Sequence, residues 1–218
     1  MKVEIWSDVV CPWCYLGKRR FESALARFEA QEDVEVVWRS FELDPAAPQQ
    51  RELLGAAHLA HKYGMSLEEA EASQRRLTEL AAAEGLEYHL DITAGGNSFD
   101  AHRLLHLAAA SGRQDALKER LLRAYFTEGE AIGRPEVLER LATDVGLEPE
   151  EIADVLAGER FADAVRADEH RARLLGINGV PFFAIDERYG ISGAQSSELI
   201  LSALQQAWSE RTEAAADD

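Results

Sequence analysis

The sequence predicts an α/β domain of order β-α-β … β-β-α, interrupted by a large all-helical insertion. Three observations carry this expectation. The first forty residues alternate, turn helical, and alternate again. Residues 181–208 form two short strand-like runs and a helix. Between these ends lie roughly 130 residues of helical spacing, more than any ordinary crossover needs. Strands at the two chain ends must share one sheet, because two or three strands alone are only marginally stable. The expected division is 1–45 with 176–210 as a discontinuous α/β domain, 46–175 as the helical insertion, and 211–218 as a frayed acidic tail.

Residues 2–8 (KVEIWSD) place Val3 and Ile5 on one strand face and Trp6 on the other. Residues 12–30 switch to helical spacing through Leu16, Phe21, Leu25 and Phe28, and 34–41 return to strand composition. Helices are then expected at 53–62 and from Ser66, which opens a capping box with Glu69, to Gly85. Two more follow at 98–111 and 115–127, split by Gly112. Pro135 and Pro149 read as first-turn prolines of short helices. A long helix covers 160–175 and ends at Gly176. Strands at 181–185 and 189–192 flank a D-E-R turn, and 196–208 closes the chain as a helix.

Composition narrows the function classes. Apolar residues make up 46% of the 218, enough for a core and too many for a disordered chain. No apolar run approaches the ~18 residues that cross a bilayer. The 23 basic and 40 acidic residues give a net charge of −17, which repels phosphate backbones and anionic lipids. Nucleic acid and membrane are therefore not expected partners. The start MKVEIWSD has neither an apolar core nor a cleavage site of a signal peptide, so the expected location is the cytoplasm.

The chain holds two cysteines, Cys11 and Cys14. In a reducing compartment a C-x-x-C pair is redox-active or binds metal. Zinc needs four ligands, and the nearest histidine, His58, belongs to another element, so no metal is expected. His58 and His61, or His102 and His106, have metal-like spacing but lack a third ligand. The pair sits where a strand ends and a helix begins. Cys11 falls near the N-cap and Pro12 at the first helical position, where its missing N–H costs nothing. Free amides and the positive end of the helix dipole then face the Cys11 sulfur and are expected to make it acidic. Cys14, one turn on, can close a disulfide with it. Cys11 would attack, and Cys14 would resolve the mixed disulfide. Trp13, between them, is expected to be partly exposed and, with Pro12, to meet substrate.

The segments WSDVVCPWCYLG and GINGVPFFAID resemble the DsbA family of thioredoxin-fold proteins, and most closely its FrnE-like branch. That branch is similar to 2-hydroxychromene-2-carboxylate isomerases and kappa-class glutathione transferases. The resemblance covers nearly the whole chain and implies a thioredoxin-like fold. It implies that Pro181 is a cis-proline against the redox pair and that Val180 offers its backbone to an extended substrate. It also implies that Asn97, His102 and Arg103, in a stretch resembling N-x-x-x-A-H-R, line the substrate cleft. Read locally, Asn97 or Ser98 serves equally as a helix N-cap. One departure stands out. Thioredoxin and DsbA carry an acidic residue six positions before the first cysteine; here that residue is Ile5, with Glu4 on the other face and Asp8 at the strand end.

The expected function is thiol–disulfide exchange with protein or small-thiol substrates, with no cofactor beyond the Cys11–Cys14 pair. Glutathione is the candidate co-substrate, and a homodimer is an open expectation. Two alternatives are a glutathione-dependent isomerase or transferase, whose members usually carry Ser in place of Cys11, and a non-catalytic client-binding protein. Lys18, Arg19 and Arg20 read as a solvated helix face that could attract an anionic thiol.

Overall fold

Strand β1 (Lys2–Ser7) is buried along almost its whole length, because both of its faces are covered. It pairs in parallel with β2 (Glu35–Ser40) and antiparallel with β3 (Phe182–Ile185), which pairs antiparallel with β4 (Tyr189–Ser192). The sheet order is β2-β1-β3-β4. The computed structural model describes residues 1–49 and 55–216. It divides into two compact units, Met1–Phe41 with Asp168–Asp218, and Glu42–Ala167.

In the first unit, Val3 and Ile5 of β1 point to one sheet face. There they join Phe183, Ile185 and Ile191, with Phe21 and Ala24 of α1 (Pro12–Leu25) and Ile200 and Leu204 of α9 (Ser197–Ala216). The rings of Phe21 and Phe183 stack at 5.7 Å between centroids. The opposite face carries Glu4 and Trp6. Trp6 packs with Ala172, Ile177 and Ala184 and donates its indole N–H to the Asp168 carbonyl at 3.0 Å.

Ionic contacts cover the rest of that face. Glu4 is almost wholly buried and accepts from Arg39 (Nε 2.8 Å, Nη2 2.5 Å) and Arg171 (Nη2 2.8 Å). Arg39 also reaches Asp168 at 3.0 Å. The other oxygen of Asp168 accepts from the Ser40 amide at 2.9 Å. Asp168 lies inside α8 (Ala162–Leu174). These contacts tie the part of α8 from Asp168 onward to the sheet of the first unit.

The second unit is helical: α2 (Gly55–Tyr63), α3 (Leu67–Ala83), α4 (Phe99–Ala110), α5 (Gln114–Phe126), α6 (Pro135–Asp144), α7 (Pro149–Ala157) and the start of α8. Ser66 and Glu69 form the capping box of α3, with Ser66 Oγ accepting from the Glu69 amide at 3.2 Å. Pro135 and Pro149 occupy first turns. Gly112 joins α4 to α5 at φ 68°, a conformation other residues adopt at a cost. Leu104, Leu117, Leu121, Leu122, Leu141 and Ile152 are fully buried among these helices.

Several boundaries differ from the sequence expectation. Helix α1 stops at Leu25 instead of 30. The chain unwinds through turns at Arg27 and Phe28, and the Phe28 ring folds back edge-on to Trp208 at 5.9 Å. Helix α9 runs to Ala216, past the expected end at 208 and into the stretch expected to fray. Arg211 reaches Asp186 at 3.5 Å, and Thr212 Oγ1 donates to the carbonyls of Trp208 and Ser209. The expected start of the 53–62 helix lies outside the described residues. No described helix is long and apolar enough to cross a membrane.

Candidate active site

The strand-to-helix junction is short and tightly held. After Ser7 the chain turns, with the Cys11 amide donating to the Asp8 carbonyl and the Val10 amide to Asp8 Oδ1, both at 3.4 Å. Cys11 is then the N-cap of α1 in extended conformation (φ −95°, ψ 112°), and Pro12 is the first helical residue. Cys11 makes no side-chain cap, so its sulfur is not spent on the helix end.

Both cysteines are free thiols and both are buried, Cys11 at 3% exposure and Cys14 at 0%. Across from them the Val180–Pro181 peptide is cis. The Cys11 thiol donates to the Val180 carbonyl at 3.5 Å, within reach for a sulfur donor. Pro181 is held in turn by the Gly193 amide, which donates to its carbonyl at 2.8 Å. Two segments about 170 positions apart thus meet at one sulfur, both as parts of the sheet unit.

The electrostatics differ from the sequence expectation. A helix start alone would make Cys11 acidic, but its pKa is raised well above the ordinary thiol value. The hydrogen bond with the Cys14 side chain is the main cause, followed by burial and by negative charge on Cys14. The Cys14 amide pulls the other way, and Asp8 adds a further push upward. The two sulfurs titrate as a pair: once one is ionised, the other keeps its proton against the adjacent charge. Asp8 is fully buried, and Ile5 lies in the apolar cluster behind α1. Asp8 is therefore the carboxylate that acts on this pair, while Glu4 is engaged with arginines on the other sheet face.

The remaining sequence candidates fall into two groups. Pro12 and Val180 are half-buried, and Trp13 is 44% exposed, so an apolar rim borders the cysteines. Asn97, His102 and Arg103 belong to the helical unit. Asn97 Oδ1 accepts from the Phe99 amide at 2.9 Å, and its Nδ2 donates to the carbonyls of Pro45 and Ala47. This makes Asn97 the residue that turns the chain into α4, whereas Ser98 makes no side-chain cap. Arg103 is 4% exposed, and its guanidinium contacts Asp100 and the carbonyls of Val155, Gly158 and Arg160. It satisfies the end of α7, whose last carbonyls have no helical partner. His102 is fully buried within α4.

The basic run after the motif is not the solvated face expected of it. Lys18 is 2% exposed, pairs with Glu22 and lies 5.9 Å from the Trp38 ring. Arg19 pairs with Glu22 at 2.6 Å, and Arg20 donates to the Ala194 carbonyl at 2.7 Å. Sequence reasoning passed over Gly17. A Cβ there would stand 2.7 Å from Pro181 Cγ. The available signal was a glycine inside a helix, where alanine is the better former.

The family model described as DSBA-like thioredoxin domain matches residues 2–205. A probable DsbA oxidoreductase of Streptomyces coelicolor, SCO1869, is 50% identical with a TM-score of 0.92, over 96% of this chain and 91% of that one. The uncharacterized protein YwbO of Bacillus subtilis is 27% identical over 204 residues, 93% of this chain and 94% of YwbO. The cytosolic disulfide reductase DsbM of Pseudomonas aeruginosa, with GSH, has the same fold at a TM-score of 0.64 and 18% identity, over 99% of this chain and all of that one.

Proposed function

We propose that this chain, which belongs to the DSBA-like thioredoxin domain family, is a thiol–disulfide oxidoreductase in which Cys11 attacks and Cys14 resolves. One observation carries the proposal: the Cys11 sulfur sits at a helix start, beside a second thiol and against the Val180 carbonyl before cis-Pro181. An extended substrate could pair with the Val180 backbone while its sulfur meets Cys11, with Pro12 and Trp13 beside it.

The electrons balance within the dithiol. Cys11 thiolate attacks one sulfur of a substrate disulfide, forming a Cys11–substrate bond and expelling the other sulfur as a thiolate. Cys14, having given up its proton, attacks the Cys11 sulfur. The Cys11–Cys14 disulfide forms and the second substrate thiolate leaves. Two electrons pass from the pair to the substrate, and a reduced thiol such as glutathione restores the pair by the reverse exchange. Asp8, buried and charged beside Cys11, would be the base for this proton traffic. The raised Cys11 pKa leaves the reduced form without a stabilised thiolate, which favours a reductant or isomerase over a strong oxidant. The likeness to DsbM, a cytosolic reductase with GSH, supports glutathione as partner and a cytosolic setting.

The test is disulfide exchange with a glutathione-capped peptide. Cys11→Ser should abolish it, and Cys14→Ser should stall as a mixed disulfide at Cys11. Exchange that persists in Cys11→Ser would remove the proposal.

A further inference from the structure

Gly17 lies in the interior of α1, a turn beyond Cys14, and is buried. An interior helical position disfavours glycine, because its backbone loses more freedom on folding than any other residue's. A glycine that persists there has a reason in what it touches. A Cβ at Gly17 would meet Pro181 Cγ at 2.7 Å, Pro181 Cβ at 3.4 Å and the Phe183 ring at 3.5 Å. The first distance is closer than side chains tolerate. The proline ring is rigid and its carbonyl is anchored by Gly193, so the ring cannot swing aside as a flexible side chain would.

We infer that Gly17 is a positioning residue of the redox site: its missing side chain lets Pro181 seat against α1 and so sets the Cys11–Val180 contact. This rests on the oxidoreductase assignment above. Cys11 is the N-cap of the same helix, and Val180 is bonded to the same proline. Any shift that parts α1 from Pro181 therefore also parts the Cys11 sulfur from the Val180 oxygen, now 3.5 Å away. That carbonyl accepts from the thiol and would repel a thiolate, so it favours the protonated form. Cys14 and Asp8 are the titratable groups that also act on Cys11, from α1 and from the turn after β1. Neither is among the atoms nearest to a methyl at 17, which belong to Pro181 and Phe183.

The experiment compares wild type, Gly17→Ala, Pro181→Ala and the double variant, all full-length and reduced. Three quantities are read: iodoacetamide alkylation of Cys11 against pH, the Cys11–Cys14 equilibrium in glutathione buffers, and the urea midpoint. In Gly17→Ala the alkylation profile should move to lower pH, roughly two- to fivefold faster near pH 7, the worth of one weak hydrogen bond to the thiol. Adding Gly17→Ala to Pro181→Ala should move the profile no further, because the ring it would strike is gone. A Gly17→Ala profile that coincides with wild type overturns the inference, as does an equal shift in both backgrounds. Should Gly17→Ala fail to fold, the double variant must fold, and its failure also overturns the inference. A wild type that forms no Cys11–Cys14 disulfide in glutathione removes the oxidoreductase assignment instead; the alkylation profiles still decide the role of Gly17.

Discussion

Replacing Glu4 by Gln removes one buried negative charge from the centre of the sheet without changing its volume. Glu4 is 1% exposed and receives three short hydrogen bonds, two from Arg39 and one from Arg171. Breaking a buried ion pair from one side costs about 3–5 kcal/mol, because the abandoned charge stays desolvated. Here each arginine keeps a second carboxylate, Asp168 for Arg39 and Glu187 for Arg171, at 3.0 and 2.9 Å. Both arginine side chains also remain partly in water, 21% and 33% exposed. The expected loss is therefore below that range, about 2–3 kcal/mol. At about 2–4 °C per kcal/mol for a chain of this size, the melting temperature should fall by roughly 4–12 °C. Urea denaturation of Glu4→Gln, Arg39→Gln and the double variant measures both the loss and the coupling. A coupling energy above about 1 kcal/mol is expected for groups in direct contact. A single-variant loss under about 0.5 kcal/mol would show that these contacts do not hold the α8 face of the sheet, and would refute the reasoning.

Two further outcomes follow from the cysteine pair. Cys11 holds its proton more tightly in the folded, reduced protein than an ordinary thiol does. The unfolded chain gives up that proton first as pH rises. The corresponding stability is thus fully present below about pH 8.5 and is lost as pH climbs towards the folded value. Urea midpoints of the reduced protein should fall more steeply between pH 7.5 and 10 than those of Cys11→Ala; parallel falls would contradict the raised pKa. Trp13 is the exposed tryptophan between the sulfurs, whereas Trp6 and Trp38 are buried away from solvent. Oxidation should change its emission, and Trp13→Phe should erase that change. A signal of undiminished size in Trp13→Phe would place the sensor elsewhere.

What the sequence disclosed, and what it did not, divides along a physical line. Alternation in β1 separates Val3 and Ile5 from Glu4 and Trp6, and the structure puts them on opposite faces with different coverings. The strand-to-helix position of Cys11-Pro12 and the capping box at Ser66 are local patterns, and both were readable. Lys18 was not. Its burial depends on Glu22 one turn on and on Trp38 of β2, and a basic run carries no mark of either. The same holds for Arg103, which reads as a free cation until its guanidinium is found against the carbonyls that end α7. The early stop of α1 follows from a tertiary contact, Phe28 on Trp208. The raised pKa of Cys11 is not legible either, because helix position is a local pattern, whereas the Cys14 thiol and the Asp8 charge act on it as a cluster. Fold class and the reacting sulfur come from short-range pattern; the groups that tune them come from long-range packing.

The most direct test of the central claim is the state of the two sulfurs after equilibration across a series of glutathione redox buffers, read by mass spectrometry of the intact protein. A single cooperative loss of two hydrogens, giving a Cys11–Cys14 disulfide that thiol reverses, is the predicted result. Separate glutathione adducts on each cysteine at every buffer composition, with no internal disulfide, would contradict it.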